Sequence, residues 1–244
     1  MQREYTHTSD FTEYMNIVYQ IINDQKKKQK TLDIPAGNGL LSMKLKEDGH
    51  DVTCADINSE REGYVYADMS ETLPFETGEF DTVICLEGLE HVLEPKKLIS
   101  ELCRVCKNKG RIIISLPNVQ NMYSRLQFLC TGTFHQFPPI LPTDNLQADE
   151  KVDLGHISPL GYIQLRYLFK YFRAEILDIQ GDKYKRKFLL PFLCPFLLIG
   201  LLWQNFMKKS DLSAANTNHV EGNLFKPPLL FSRSLILVFE KNSQ

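Results

Sequence analysis

Asp33, Gly37, Gly39, Asp56 and Asp68 are spaced as a nucleotide-type cofactor site requires. Thr31 to Ser42 runs a short apolar strand into an acid, then two glycines, then a helix starting near Leu40. Without a Cβ, the glycines let the backbone turn tightly and approach a ligand, while the free N–H groups of the helix point at the same spot. Asp33 narrows the ligand. Its carboxylate would repel a pyrophosphate but suits a cofactor with a cationic amino-acid tail. Asp56 ends a second strand, Asp51 to Asp56, nineteen residues after Gly37, the offset at which an acid grips ribose hydroxyls. Asp68 ends a third strand beginning at Tyr64, and Met69 with Leu73 to Phe75 offers apolar surface for an adenine.

Further strands must hold these residues at one edge. Phe80 to Leu86 reads as a fourth strand followed by a polar loop, Glu87 to Pro95, and Gly110 to Asn118 as a fifth. With these in place, residues 30–118 resemble the cofactor half of a class I S-adenosylmethionine-dependent methyltransferase of the small-molecule type. Asp33, Gly37 and Gly39 match that family's acidic glycine-rich signature, Asp56 its ribose acid, and Asp68 its adenine-side motif. Glu87 to His91 resembles its loop after the fourth strand. The resemblance implies S-adenosylmethionine as cofactor, held by Asp33, Pro35, Gly37, Gly39, Asp56, Ile57, Asp68, Met69 and Glu87. Pro35 departs from the pattern, standing where the first glycine belongs and offering no N–H. The fold implied is α/β, a seven-stranded doubly wound sheet in the order 3-2-1-4-5-7-6 with strand seven antiparallel, all within one domain, 1–244. Arg173 to Gln180 and Ser234 to Glu240 read as its sixth and seventh strands.

Methyl transfer from a sulfonium needs an oriented acceptor and, for a hydroxyl, a proton acceptor. His156 and His91 are the candidates because imidazole titrates near neutrality. Asp153, Glu87 and Glu90 are alternates as base or as orienting carboxylates. The stretch from Pro117 through His156 resembles, more loosely, methyltransferases of bacterial glycan and lipid-linked biosynthesis.

Composition sets the frame. The chain has 244 residues, 43% of them hydrophobic, and a net charge of −2, which gives no case for nucleic acid as a partner. The polar start, Met1 to Thr8, lacks the apolar core of a signal peptide, so a cytoplasmic location is expected. Of six cysteines, Cys103 and Cys106 form the only close pair. They fall at helical spacing among apolar residues and read as core, and no metal is expected. Phe11 to Ile22 reads as an amphipathic helix whose end Lys26 to Lys30 complements.

The second half carries two specific segments. Residues 119–160 read as a substrate-side lid, with a long connection, Thr131 to Asp153, ahead of a helix Leu160 to Tyr171. Within 183–209, the sixteen residues Phe188 to Trp203 carry no charge and are flanked by Lys183 to Lys187 and by Lys208 and Lys209. Pro191, Pro195 and the shortness of the run argue against simple spanning. The expectation is a monotopic or re-entrant hairpin, peripheral on the inner face of the membrane, with an oligomer interface as the competing use. Its place after strand six puts it beside the acceptor pocket, which points to a small-molecule or lipid-linked acceptor such as a glycolipid or quinone precursor. Two other functions compete. An NAD(P)-dependent oxidoreductase is disfavoured by Asp33, by Ser42 and by the paired Asp56 and Asp68, and a non-catalytic cofactor-binding scaffold would bind without turnover.

Overall fold

The computed structural model describes residues 10–25, 27–58, 62–138, 155–184, 190–208 and 223–243. Its sheet has seven strands in the order β3-β2-β1-β4-β5-β7-β6, as the sequence leads one to expect. In chain order they are β1 (Lys30–Asp33), β2 (Asp51–Asp56), β3 (Tyr64–Tyr66), β4 (Phe80–Leu86), β5 (Cys106–Pro117), β6 (Ala174–Gly181) and β7 (Ser234–Lys241). The helices are α1 (Glu13–Asn23), α2 (Leu40–Glu47), α3 (Pro95–Val105), α4 (Met122–Thr131), α5 (Tyr162–Tyr171), α6 (Leu190–Lys208) and α7 (Pro227–Phe231). β1 to β5 pair in parallel, while β7 is antiparallel to both β5 and β6.

The central strands are buried on both faces, so apolar side chains dominate them and alternate between two cores. Ile112, Ile114 and Leu116 of β5 join Leu235, Leu237 and Phe239 of β7 on the face covered by α3 and α5. Ile113, Ile236 and Val238 point the other way, onto Val18 and Ile22 of α1 and Leu41 and Leu45 of α2. Parallel strands all end at one edge, so Asp33, Asp56, Asp68, Glu87 and Asn118 follow one another along it.

Three local expectations are corrected. Cys106 does not continue α3: it opens β5, and the chain bulges between the pairs Phe80↔Cys106 and Thr82↔Arg111. Gly110 permits this, because a Cβ there would sit 2.7 Å from Cys106 Sγ and 2.9 Å from the Asp81 carbonyl oxygen. Both thiols lie in the core, where burial pushes Cys103 and Cys106 up to about 12. Second, no lysine occupies the last turn of α1, and Lys30 instead opens β1 and pairs with Glu79 at 2.9 Å. Third, the described part of the insertion is one helix, α6, and not a hairpin, with Pro195 inside it. A helix satisfies the backbone of an uncharged run internally, and one proline removes only one donor.

Candidate active site

The first wall of the site is the turn from β1 into α2. Gly37 and Gly39 take left-handed φ values of 53° and 74°, and a Cβ on Gly39 would also collide with the Tyr64 hydroxyl. That hydroxyl donates to the Gly37 carbonyl oxygen at 3.3 Å. Asp56 braces the same turn, accepting from Gly37 N at 2.9 Å through Oδ2 and from Asn58 N at 2.9 Å through Oδ1. Carboxylate oxygens have further lone pairs, so Asp56 can hold its own loop and still meet two hydroxyls. Ile57 follows it and is exposed.

Asp33 lies deeper than the sequence suggests, 3% exposed. Ser42, in the first turn of α2, donates to its Oδ2 at 2.6 Å. Burial pushes the Asp33 carboxyl up to about 7, and the charge of Asp56 adds to this while Ser42 and Lys46 oppose it. A cationic group approaching it would pull it back down. Ser42 was legible only as a departure from an oxidoreductase fingerprint. A polar residue on the buried face of α2, one turn from an acid, was the available signal.

The second wall is the loop after β3. Asp68 Oδ1 accepts from Ser70 N at 2.9 Å, and Met69 is half-buried against the core. Leu73 and Phe75, expected to offer apolar surface to an adenine, pack against the core. Leu73 is 2% exposed, Phe75 packs edge-on against Phe80 at 5.2 Å, and Arg104 holds both carbonyl oxygens at 3.0 and 2.8 Å. Gly88 draws the walls together. A Cβ there would lie 2.8 Å from Pro35 Cδ, 3.0 Å from Cys85 Sγ and 3.2 Å from Met69 Sδ. Pro35, with no N–H to offer, thus acts as a packing surface in this loop.

Beyond Gly88 lies a cluster of ionisable groups. Glu87, at φ 48°, accepts from Ser115 Oγ at 2.9 Å, and burial pushes it up to about 7 against the nearby charge of Arg233. Glu90 is fully buried, and neither carboxylate oxygen meets a hydrogen-bond partner among the described residues. Burial raises it well above the usual range, and Glu87 adds to this. Its carbonyl oxygen accepts from Ile157 N at 2.9 Å and Ser158 N at 3.0 Å. That pairing lays residues 155–159 along the turn Leu89–His91.

His91 and His156, sixty-five residues apart, consequently meet edge to face, their ring centres 4.9 Å apart. Glu90, His91 and His156 each bring one ligating atom within 4.8 Å of the others. Such a set could share a proton, and its donors also suit a cation. Phe137 covers His156 at 5.4 Å. Gln136, which the sequence did not single out, accepts from His156 Nδ1 at 2.8 Å through its carbonyl oxygen. Asp153 lies outside the described residues.

The edge thus combines a glycine cradle with three acids on one side and an imidazole pair on the other, which suits binding of an adenosine-bearing cation. Known proteins point the same way. Residues 32–114 match the family model described as a methyltransferase domain. The ubiquinone biosynthesis O-methyltransferase of Dechloromonas aromatica (strain RCB) is 31% identical over 162 residues, which is 52% of this chain and 68% of that protein. The demethylmenaquinone methyltransferase of Clavibacter sepedonicus is 36% identical over 99 residues, 35% of this chain. The chain spans only 40% of the Clavibacter relative and 46% of one from Paenarthrobacter aurescens (strain TC1). Among solved structures, an S-adenosylmethionine-dependent methyltransferase from Archaeoglobus fulgidus superimposes with a TM-score of 0.55 at 18% identity, over 93% of this chain and 94% of that one. The Burkholderia thailandensis 1,6-didemethyltoxoflavin-N1-methyltransferase, solved with S-adenosylhomocysteine, gives 0.54 at 13%, over 94% and 78%. The oxidoreductase alternative falls, and this chain belongs to the class I S-adenosylmethionine-dependent methyltransferase family.

Proposed function

We propose that this protein methylates a hydroxyl of a small amphipathic acceptor, quinone-like or lipid-linked, with S-adenosylmethionine as donor and His156 as proton acceptor. The observation that carries this reading is the meeting of His156 with His91 over buried Glu90, at the sheet edge that also holds the glycine cradle. Gly37 and Gly39 would receive the cofactor's backbone-facing side, Asp33 its ammonium, Asp56 and Ile57 its ribose, and Asp68 with Met69 its adenine side. Pro35 and Glu87 line the space between. The bound cofactor supplies an electrophilic methyl on sulfur. The chain's own task is then to align the hydroxyl and accept its proton on His156 Nε2 as the new bond to oxygen forms and the bond to sulfur breaks. His91 and Asp153 are assigned to orienting that imidazole and the acceptor.

The insertion 183–209 supports the amphipathic side of the proposal. β6 and β7 deliver its two ends to the same edge as the site. On α6, Phe192, Phe196, Leu198, Ile199, Leu202 and Trp203 are exposed, yet among the described residues no helix is long and apolar enough to cross a membrane. We assign it peripheral contact with an anionic, inner-face membrane surface, where Lys183, Lys185, Arg186, Lys187, Lys208 and Lys209 would each add about 1 kcal/mol. Incubating separated membranes and cytosol with methyl-labelled cofactor tests the whole reading. Label is expected in a lipid-extractable product, with His156→Ala lowering turnover about 10²-fold or more while cofactor affinity holds. Cofactor binding without label in any fraction would instead favour the non-catalytic scaffold.

A further inference from the structure

Gln136 links the imidazole to the far end of the chain. Its carbonyl oxygen lies 2.8 Å from His156 Nδ1. A carbonyl carries no hydrogen, so the proton of that bond sits on Nδ1, and in the neutral ring the lone pair is then on Nε2. The carbonyl can face His156 because Gln136 holds a φ of 70°, a conformation an L residue keeps only where its surroundings hold it. Its side chain supplies that hold. Gln136 Oε1 accepts from Arg233 Nε at 3.1 Å, and Gln136 Nε2 donates to the Arg233 carbonyl oxygen at 3.4 Å.

Arg233 is itself fixed. Its N–H donates to Asp182 Oδ1 at 3.0 Å, and its carbonyl oxygen also accepts from Asn118 N at 2.9 Å. Asp182 ends the β6 side of the insertion, and Arg233 directly precedes β7. The lid turn that presents a carbonyl to His156 is therefore latched to the two roots of the insertion. Glu87 lies within reach of the same guanidinium charge.

We propose that Gln136 and Arg233 are positioning residues that fix His156 as the Nδ1–H tautomer, the tautomer in which the basic lone pair is on Nε2. This rests on the reading of His156 as the base. Long-range proton–nitrogen NMR of the full-length chain carrying labelled histidine reads the tautomer directly, with the His156 signals identified by their loss in His156→Ala. At about two pH units above the ordinary imidazole value, Nδ1 is expected to be protonated. Arg233→Ala should lower the Nδ1–H fraction at least about twofold as the proton redistributes between the two nitrogens. Gln136→Gly, which keeps the left-handed turn but removes the latch, should do the same, whereas Gln136→Glu retains an acceptor for Arg233 and should preserve the tautomer. Unchanged S-adenosylhomocysteine affinity certifies each variant as folded. Protonation on Nε2 in the parent, or an unchanged tautomer in both latch variants, overturns the proposal. A tautomer that shifts while His156→Ala turns over normally overturns the base reading and the catalytic meaning of the latch together, leaving only the control of the proton's position.

Discussion

Ser42 and Asp33 share one hydrogen across 2.6 Å in a fully buried setting between β1 and the first turn of α2. The serine offers the carboxylate its closest stabilising contact, yet burial still pushes the acid up to about 7. Near neutral pH the site therefore holds a carboxyl poised between its two forms.

Cofactor affinity should for that reason depend on pH. An approaching ammonium favours the ionised carboxylate. With Asp33 assigned to the cofactor's ammonium, S-adenosylmethionine binding below about pH 7 should expel a proton from Asp33, and affinity should rise as pH passes upward through that value. Calorimetry in buffers of different ionisation enthalpy would read the released proton. Asp33→Asn should weaken binding and flatten the dependence, and Ser42→Ala should move the midpoint upward. An affinity independent of pH between 6 and 8 (about one unit either side of that value) would mean that Asp33 never meets the charged tail.

The same burial sets the sign of stability against pH in the cofactor-free protein. The Asp33 and Glu87 carboxyls are raised to about 7, so the folded state holds protons that the unfolded chain loses from about pH 4 upward. Their contribution is fully present below that value and is lost as pH rises through about 7. His50 works in reverse, since burial lowers it. Its contribution is present above the ordinary imidazole value and is lost as pH falls. Urea unfolding should thus show stability falling from pH 5 to pH 7, with Asp33→Asn removing a few kcal/mol of the slope at most. A flat profile would show that the carboxyls are solvated in solution.

Asp56 and Asp68 look alike in sequence but not in the fold. Asp56 is 6% exposed and holds two backbone N–H groups of its own loops, one of them in the glycine cradle, whereas Asp68 accepts from Ser70 N in the turn after β3. Asp56→Ala removes a loop brace and, on the proposed assignment, a ribose contact together. It should weaken S-adenosylhomocysteine binding by tenfold to a hundredfold, in keeping with about 1.5–3 kcal/mol for a hydrogen bond to a charged group. Asp68→Ala should cost less. Equal losses measured by calorimetry would remove the distinction.

Gly88 offers a purely steric test. Its φ of −123° suits any residue, so only space forbids a side chain. Gly88→Ala must push on Pro35, Cys85 and Met69 at once, at about 1–3 kcal/mol of overpacking, and should loosen cofactor binding by moving the Pro35 loop. Retained stability and affinity would show that the loops yield freely.

What the sequence displayed and what it hid follow from the range of the interactions. Strand order, the cradle and the acids at strand ends were legible because alternation and glycine placement are local patterns, and the resemblance reached through all of them. Leu73 and Phe75 misled because an apolar triplet reads the same whether it faces an adenine or a core, and the deciding partner, Arg104, lies about thirty residues away. The latch from His156 through Gln136 to Arg233 joins residues up to 97 apart, and no spacing rule connects them. Burial was equally invisible. Nothing in Glu90's neighbours in sequence tells that neither of its oxygens meets a partner among the described residues.

The last expectation concerns the insertion, whose roots are already closed without it. Tyr184 pairs with Ser232 in an isolated bridge, and Arg233 N donates to the Lys183 carbonyl oxygen at 3.2 Å, so β6 and β7 are joined just below the point where α6 departs. Replacing residues 185–222 by a short Gly/Ser connector keeps that closure, and the entropy of the loop changes only as about (3/2)RT ln n. The trimmed protein should keep S-adenosylhomocysteine affinity, since the cradle and its acids lie on β1 to β3. It should lose flotation with vesicles containing anionic lipid, an attachment that in the parent should weaken with added salt, and lose turnover mainly on lipid-borne acceptors. Reversing charge at Lys185, Arg186 and Lys187 in the intact chain should weaken flotation without touching cofactor binding. If the parent ignores anionic vesicles and instead runs as a dimer that trimming converts to monomer, α6 is covered by a second copy of the chain, and the case for a lipid-borne acceptor falls back on the quinone-methylating relatives alone.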